Sequence, residues 1–340
     1  QKIEKRTVKK NMIYLVGLVL SITISCKNNR FKTEDYVAIP EFNFPKSIEF
    51  EESLLAYNIF VGSPANLDPS NDFHLLELNS TLFTDYAHKQ RLVKVPSGTQ
   101  IKKLEDDSIE FPNGTILAKT FFYYNDERIK NGKRIIETRL LVKENNTWNV
   151  ATYLWNEEQT DATLLTDGIE TEVSWINREG NSLSTNYQVP TENQCMTCHQ
   201  SNATMTPLGP TLRNLNHIVD RNGSSVNQIS HLQSIGLLDS FDVSHVSRIV
   251  DYKNTDASLT DRSRAYLDMN CAHCHNPNGW DKSTQRRFDF RYETPLGQTG
   301  ILRKEQKIVN TMIRGKMPFI GTTMLDSEGI SLLREFTESL

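Results

Sequence analysis

The chain has 340 residues, a formal net charge of −4 and a mean hydropathy of −0.49. That length allows two or three domains, and nothing in the slightly acidic composition suggests nucleic-acid binding. With 37% hydrophobic residues the sequence is polar for a chain that must fill several cores, a shortfall that large apolar cofactors would help to make up.

A basic stretch ending at Lys9-Lys10 precedes a largely apolar run from Met12 to Ser25. The run suits the apolar region of an export signal and is short for a membrane-spanning helix. It stops at Thr23-Ile24-Ser25-Cys26, which resembles a bacterial lipobox with Thr23 where leucine is usual. Residues 1–26 are therefore predicted to be a signal peptide, Cys26 the lipidated first residue of the mature chain, and 27–45 a polar tether. An ordinary signal peptide with an incidental cysteine is the alternative. Without residues 1–26 the chain carries 33 basic and 41 acidic side chains, a charge of about −8.

Residues 46–189 read as a β-rich domain, an antiparallel sandwich or partial barrel, after a short helical pattern around 53–57. Segments 91–95, 115–124, 134–142 and 148–155 are rich in β-branched and aromatic residues. Pro-Ser-Gly, Pro-Asn-Gly and Lys-Asn-Gly turn signals separate them. Asn131-Gly132 predicts a tight hairpin between two of these strands. His74 and His88 read as surface or structural residues.

From Val189 the pattern changes to short helices and polar loops, which predicts two mainly α haem domains over 190–257 and 258–340. Each holds one C-x-x-C-H motif: Cys195-Met196-Thr197-Cys198-His199 and Cys271-Ala272-His273-Cys274-His275. This is the spacing of covalent haem attachment. Two thiols form thioethers to the haem vinyl groups, and the histidine after the second becomes the proximal iron ligand. With Cys26 assigned to lipid, the motifs account for all five cysteines and leave none for disulfides. Covalent haem is attached outside the cytoplasm in bacteria, so the export signal and the motifs support one another. A zinc or disulfide protein would need other pairings. Pro190-Thr191 predicts the start of a helix carrying the first motif. Ser224 is predicted to cap a helix with Val226, Ile229, Leu232 and Ile235 on one face, and Thr260 a helix running into Cys271. A last helix is predicted from about Ser327 to Glu338, striped by Ile330, Leu333 and Phe336.

The second axial ligand decides between electron transfer and ligand chemistry. For the second haem the candidate is Met317, 42 residues after His275 and followed by Pro318. Small class I cytochromes c present a distal methionine at comparable range. Met312 and Met324 are rivals. For the first haem, Gly209-Pro210-x-Leu212 resembles the class I segment whose proline carbonyl holds the proximal histidine, and this puts Met205 on the proximal side. His217, His231, His245, a residue of the β-rich domain, or no protein ligand remain open there.

Several longer motifs carry a resemblance. They are Leu82-Phe-Thr-Asp-Tyr-Ala87 with Lys89 and Arg91, Phe111-Pro-x-Gly-Thr115, Glu137-Thr-Arg-Leu-Leu141, Asn193-Gln-Cys-x-x-Cys-His199, Pro207-Leu-Gly-Pro210 and Tyr266-Leu-Asp-x-Asn-Cys-Ala-His-Cys-His275. Over roughly residues 45–340 the chain resembles a bacterial di-haem c-type cytochrome family whose genes often neighbour those of parallel β-helix repeat proteins. The resemblance implies a β-rich segment before two cytochrome c-like domains, with haem on the two motifs. The leading expectation is a periplasmic electron carrier with two covalently bound haem c groups. It would relay electrons between an oxidoreductase, such as a periplasmic dehydrogenase or a β-helix repeat protein, and a respiratory carrier. A di-haem peroxidase-like oxidoreductase with one open haem site is the alternative. In a third reading the β-rich part binds a partner or substrate and the haems are its electron outlet. If Cys26 carries lipid, Cys26→Ser moves the protein from the membrane fraction to the soluble fraction with its cofactor content unchanged; a wild-type protein already fully soluble overturns the anchor.

Overall fold

The computed structural model of the protein describes residues 42, 47–106, 108–201, 204–279, 287–318 and 320–340. The predicted signal peptide, Cys26 and, save Phe42, the tether lie outside them. The strands are β1 (His74–Leu75), β2 (His88–Lys94), β3 (Lys102–Lys103), β4 (Ile109–Glu110), β5 (Ile116–Asp126), β6 (Asn131–Glu144), β7 (Thr147–Trp155), β8 (Ala162–Leu165), β9 (Ile169–Ile176) and β10 (Ser182–Val189), followed by the short pairs β11 (Gln200–Ser201) with β12 (Thr204–Met205) and β13 (Ile218–Arg221) with β14 (Ser224–Asn227). Among the described residues six α-helices follow or intersperse: α1 (Glu192–His199), α2 (Leu212–Leu215), α3 (Gln228–Ser234), α4 (Leu259–Asn270), α5 (Glu305–Ile313) and α6 (Ser327–Glu338). None is long and apolar enough to cross a membrane.

The main sheet runs β1-β2-β5-β6-β7-β8, antiparallel throughout, with the β9–β10 hairpin attached by one parallel pair, Asp126 with Ile176. Local chemistry sets the turns. Asn145 and Asn146 take φ of 50° and 60° between β6 and β7, the doubly left-handed loop that suits the twist of paired strands. The β5–β6 hairpin forms as expected but not on Asn131-Gly132. Its turn occupies 127–130, and Asn131 already pairs with Asp126.

Alternation along the strands sorts the residues onto two faces. Leu92, Ala118, Leu140 and Tyr153 face one core with Leu54, Ile59 and Phe73. Val93, Leu117 and Val150 face the other way and share a core with Cys195 and Met196 of α1, Leu212 and Leu215 of α2, and Ile229 and Leu232 of α3. The second half of that face, at Phe121 and Tyr123, is covered by Trp175 and Tyr187 of the β9–β10 hairpin.

The expectation of a β-rich domain followed by two mainly α cytochrome c-like domains is thereby overturned. The molecule is mostly antiparallel sheet, its helices are short and few, and residues 195–246 build no separate helical core because their apolar side chains close the sheet's own. Ser224 does not cap a helix. Residues 224–227 pair with 218–221, and Asn227 caps the shorter α3 by accepting from Ser230 N. Among the described residues, α4, α5 and α6 gather into a mainly helical cluster around Tyr266, Leu267, Val309, Leu333 and Phe336. The last helix spans the expected Ser327–Glu338, and α4 runs into Cys271 as expected, capped by Ser258 rather than Thr260.

The α4–α6 crossing holds the second motif in place. Gly329 lies on α6 against the ring of fully buried Tyr266, whose hydroxyl donates to Asp326 (2.9 Å). A Cβ at Gly329 would fall 2.3 Å from that ring and hydroxyl. Alanine is the better helix former by about 1 kcal/mol, whereas overpacking costs roughly 1–3 kcal/mol. The clash is set against a buried ring that cannot retreat, so it wins. Gly329→Ala is expected to lower the denaturation midpoint. Gly297→Ala, which meets nothing within 4 Å, is expected to leave it near wild type.

Candidate functional site

The first motif is placed by a well-capped helix on a sheet face. Thr191 accepts from Gln194 N, and the Gln194 side chain reaches back to Thr191 N, a reciprocal cap worth about 1 kcal/mol. The helix is only eight residues long, so packing rather than propensity keeps it. Cys195 and Met196 supply that packing, at 6% and 4% exposure.

His199 ends the helix. Its Nδ1 lies 2.9 Å from the carbonyl oxygen of Thr206. Donation there fixes the Nδ1–H tautomer and leaves the Nε2 lone pair for a metal, the usual arrangement around a ligating imidazole. Burial, with Lys119 adding to it, pushes the His199 pKa down to about 3, so the ring is neutral and ready to ligate. The carbonyl expected in this role was that of Pro210; Thr206 takes it because β11 and β12 fold back directly after the motif.

The second motif follows α4 as a tight turn. Cys271 N and Ala272 N both donate to Leu267 O, and Cys274 N and His275 N to Cys271 O. Asn276 Nδ2 donates to Ala272 O (2.7 Å), closing the loop. The His275 ring sits 5.8 Å from the ring of Phe288 and 5.4 Å from that of Phe290. Asn270 Oδ1 accepts from Phe83 N (2.7 Å), which ties this turn to the loop leading into β2.

The structure brings the two motifs together. One ligand atom each of Cys198, His273 and Cys274 lies within 4.8 Å of the others. All four motif cysteines are free thiols. Burial pushes the Cys195 thiol up to about 11 and that of Cys271 up to about 12. The Cys274 contact, then burial, raises that of Cys198. A redox-active C-x-x-C works through a depressed thiol pKa, and these shifts run the opposite way.

Cys195 and His199 line a cleft between α1, the 207–210 loop and the sheet, with Leu117, Leu141 and Val150 on its floor and Arg91, Lys119 and Arg139 beside them. Counting its open mouth it encloses about 640 Å³, of which about 60 Å³ is wide enough for water. His199 and Cys195 on the cleft, with Cys198 outside its lining, would supply an iron ligand and two thioether sulfurs; the cleft is smaller than a macrocycle, which would have to open it.

The remaining candidates are scattered. Met317 packs at the edge of the helical cluster that also takes in Cys271, and Met312 is buried within it, whereas Met324 packs against the sheet with Phe121 and Tyr187. His217 bonds to the carbonyls of Ile218 and Glu77, and His245 is 86% exposed beside Asp242. His231 lies on α3. Of the two residues set aside as structural, His88 bonds Glu127 (2.6 Å), and burial lowers the His74 pKa. His273 is the residue that reading the sequence missed. It stands at a spacer position of C-x-x-C-H, and its signal was the run of four ligand-type side chains in five residues. No protein-family profile, no curated protein and no solved structure matches the chain.

Proposed function

We propose that the chain is an exported di-haem c-type electron-transfer protein, anchored through Cys26 on the periplasmic side of a bacterial membrane. Donor and acceptor redox proteins are its partners. The supporting observation is the meeting of the two motifs, 76 positions apart in sequence, at Cys198, His273 and Cys274.

Haem supplies one-electron exchange at its iron. The chain's own residues would bind and orient it: Cys195 with Cys198, and Cys271 with Cys274, as thioethers, His199 and His275 as iron ligands, and Met317 as a further ligand of the second. Thr206 fixes the His199 ring, and Phe288 and Phe290 exclude water around His275. With Cys198 beside Cys274, the two attachment points adjoin, which would set the two haems close enough for electron exchange between them.

The same cluster favours a second reading. Two sulfurs and an imidazole nitrogen are a donor set for zinc or copper with a fourth position open. The readings compete, because Cys198 and Cys274 either carry haem or bind a metal as thiolates. Protein made with a cytochrome c maturation system is expected to hold two haems that survive denaturation, and Cys271→Ala with Cys274→Ala to hold one. No covalent haem, with one metal ion per chain lost in Cys198→Ser, establishes the second reading instead. Slow or absent carbon monoxide binding and negligible peroxide turnover separate the carrier from a peroxidase.

Methionine ligation raises a haem potential relative to bis-histidine ligation. Met317→His is therefore expected to lower the potential of one haem and abolish its methionine-to-iron charge-transfer band. An unchanged spectrum removes Met317 from the ligand set.

A further inference from the structure

Three cations lie side by side on the sheet face beneath the first motif. Arg91 of β2 pairs with Lys119 of β5, and Lys119 with Arg139 of β6, so the three stand on one rung of the ladder. Like charges directly opposite one another destabilise a sheet, and these three also line a half-enclosed cleft. Arg139 is neutralised: its guanidinium bonds Glu137 through two nitrogens, and Glu137, fully buried, also accepts from Tyr187 Oη (2.7 Å). Lys89, one rung along, donates to Leu82 O (2.8 Å). Arg91 and Lys119 differ. Among the described residues neither side chain has an ion pair or hydrogen bond, and the Lys119 ammonium merely lies over the Phe121 ring at 4.8 Å. Burial, with Arg91 and Arg139 adding to it, drives the Lys119 pKa far below that of a free lysine, and burial lowers that of Arg91 to about 10. Arg91 and Lys119 are thus two half-buried basic side chains that face the cleft with no bonded counter-charge, the Glu137 carboxylate that acts on Lys119 being taken up by Arg139.

We infer that Arg91 and Lys119 form a carboxylate clamp that seats the two propionates of the first haem against the sheet. This rests on the haem reading of His199. The chemistry matches in number and kind. The cleft offers an apolar floor at Leu117, Leu141 and Val150, a neutral imidazole and a thiol at its side, and two basic side chains without a bonded counter-charge on the adjoining rung. Haem is planar, apolar over most of its area, and carries two carboxylates on one edge. Each bond from Arg91 or Lys119 would be a charge-assisted one, the strong kind. The sheet thereby acts as a haem-positioning surface rather than a separate module.

The test uses the full chain matured with haem, in a background lacking the second haem (Cys271→Ala with Cys274→Ala) so that the first is read alone. Arg91→Gln with Lys119→Gln is expected to shift the propionate bending modes in resonance Raman spectra. It is also expected to lower the reduced-to-oxidised ratio at fixed ambient potential at least tenfold, about 59 mV for one electron. Arg91→Lys with Lys119→Arg keeps both charges and is expected to stay close to wild type in that ratio. If the glutamine pair does not accumulate, Lys119→Gln is read against Lys119→Arg in the same way. Propionate modes indifferent to loss of both charges overturn the clamp, whatever the potential does. A chain with no covalent haem overturns the haem reading itself, and so is told apart from failure of the clamp alone.

Discussion

The molecule depends on one sheet face having two jobs at once. Val93, Leu117 and Val150 form the apolar half of a core that α1, α2 and α3 complete. One rung away the same face turns to Arg91, Lys119 and Arg139. Because side chains alternate with period two, a slip of one residue in the β2–β5 register would send the core residues to the opposite face and the cations with them. Register here sets both the packing of α1 and the charge beside it. The Glu137–Arg139 pair, closed by Tyr187 on β10, pins the middle of this face; losing one partner of such a buried pair costs about 3–5 kcal/mol. That cost stands against any rearrangement that would let Arg139 serve a ligand instead.

The second consequence is the convergence of the motifs. The first is held by the sheet through Cys195 and Met196, the second by a helical cluster through α4. These supports meet through polar contacts: Asn270 accepts from Phe83 N, Asn214 from Ser80 N, and Arg213 bonds Asp268 of α4. Backbone donors satisfied by buried amide side chains are expensive to leave unmade, so the loop over 79–86 acts as a rigid bracket between the supports. Asp85 strengthens it by accepting from Thr323 N, Thr323 Oγ1 and Met324 N at 2.8–2.9 Å.

What could be read from the sequence was what is decided within a few residues. The C-x-x-C-H spacing, the β-branched runs that became β2, β5, β6 and β7, and the Ile330-Leu333-Phe336 stripe all carry their signal locally. Where two local signals competed, the tertiary partner decided. Val226 begins a helical apolar spacing with Ile229, Leu232 and Ile235, but Val219 stands opposite it and draws Ser224–Asn227 into a hairpin. The helical reading of 190–257 failed for a related reason. Its apolar residues are spaced for burial, and periodicity says nothing about what they are buried against, here a sheet and not other helices. The Arg91–Lys119–Arg139 row was equally hidden, because its three members come from three strands and become neighbours only through register.

His273 shows how far this reasoning extends. By spacing alone it is a spacer, since thioether attachment uses only the cysteines and the histidine that follows. Its position beside Cys198 comes from the turn after α4, where four backbone donors converge on Leu267 O and Cys271 O and present positions 273 and 274 toward the first motif. Gly279 allows that turn its tightness, since a Cβ there would lie 2.2 Å from Cys274 O. The approach of the two motifs is therefore built from backbone geometry on one side and a capped helix seated on a sheet on the other. Together they bring Cys198, His273 and Cys274 within 4.8 Å of one another, and a ligand that uses these three side chains has less ordering entropy to overcome.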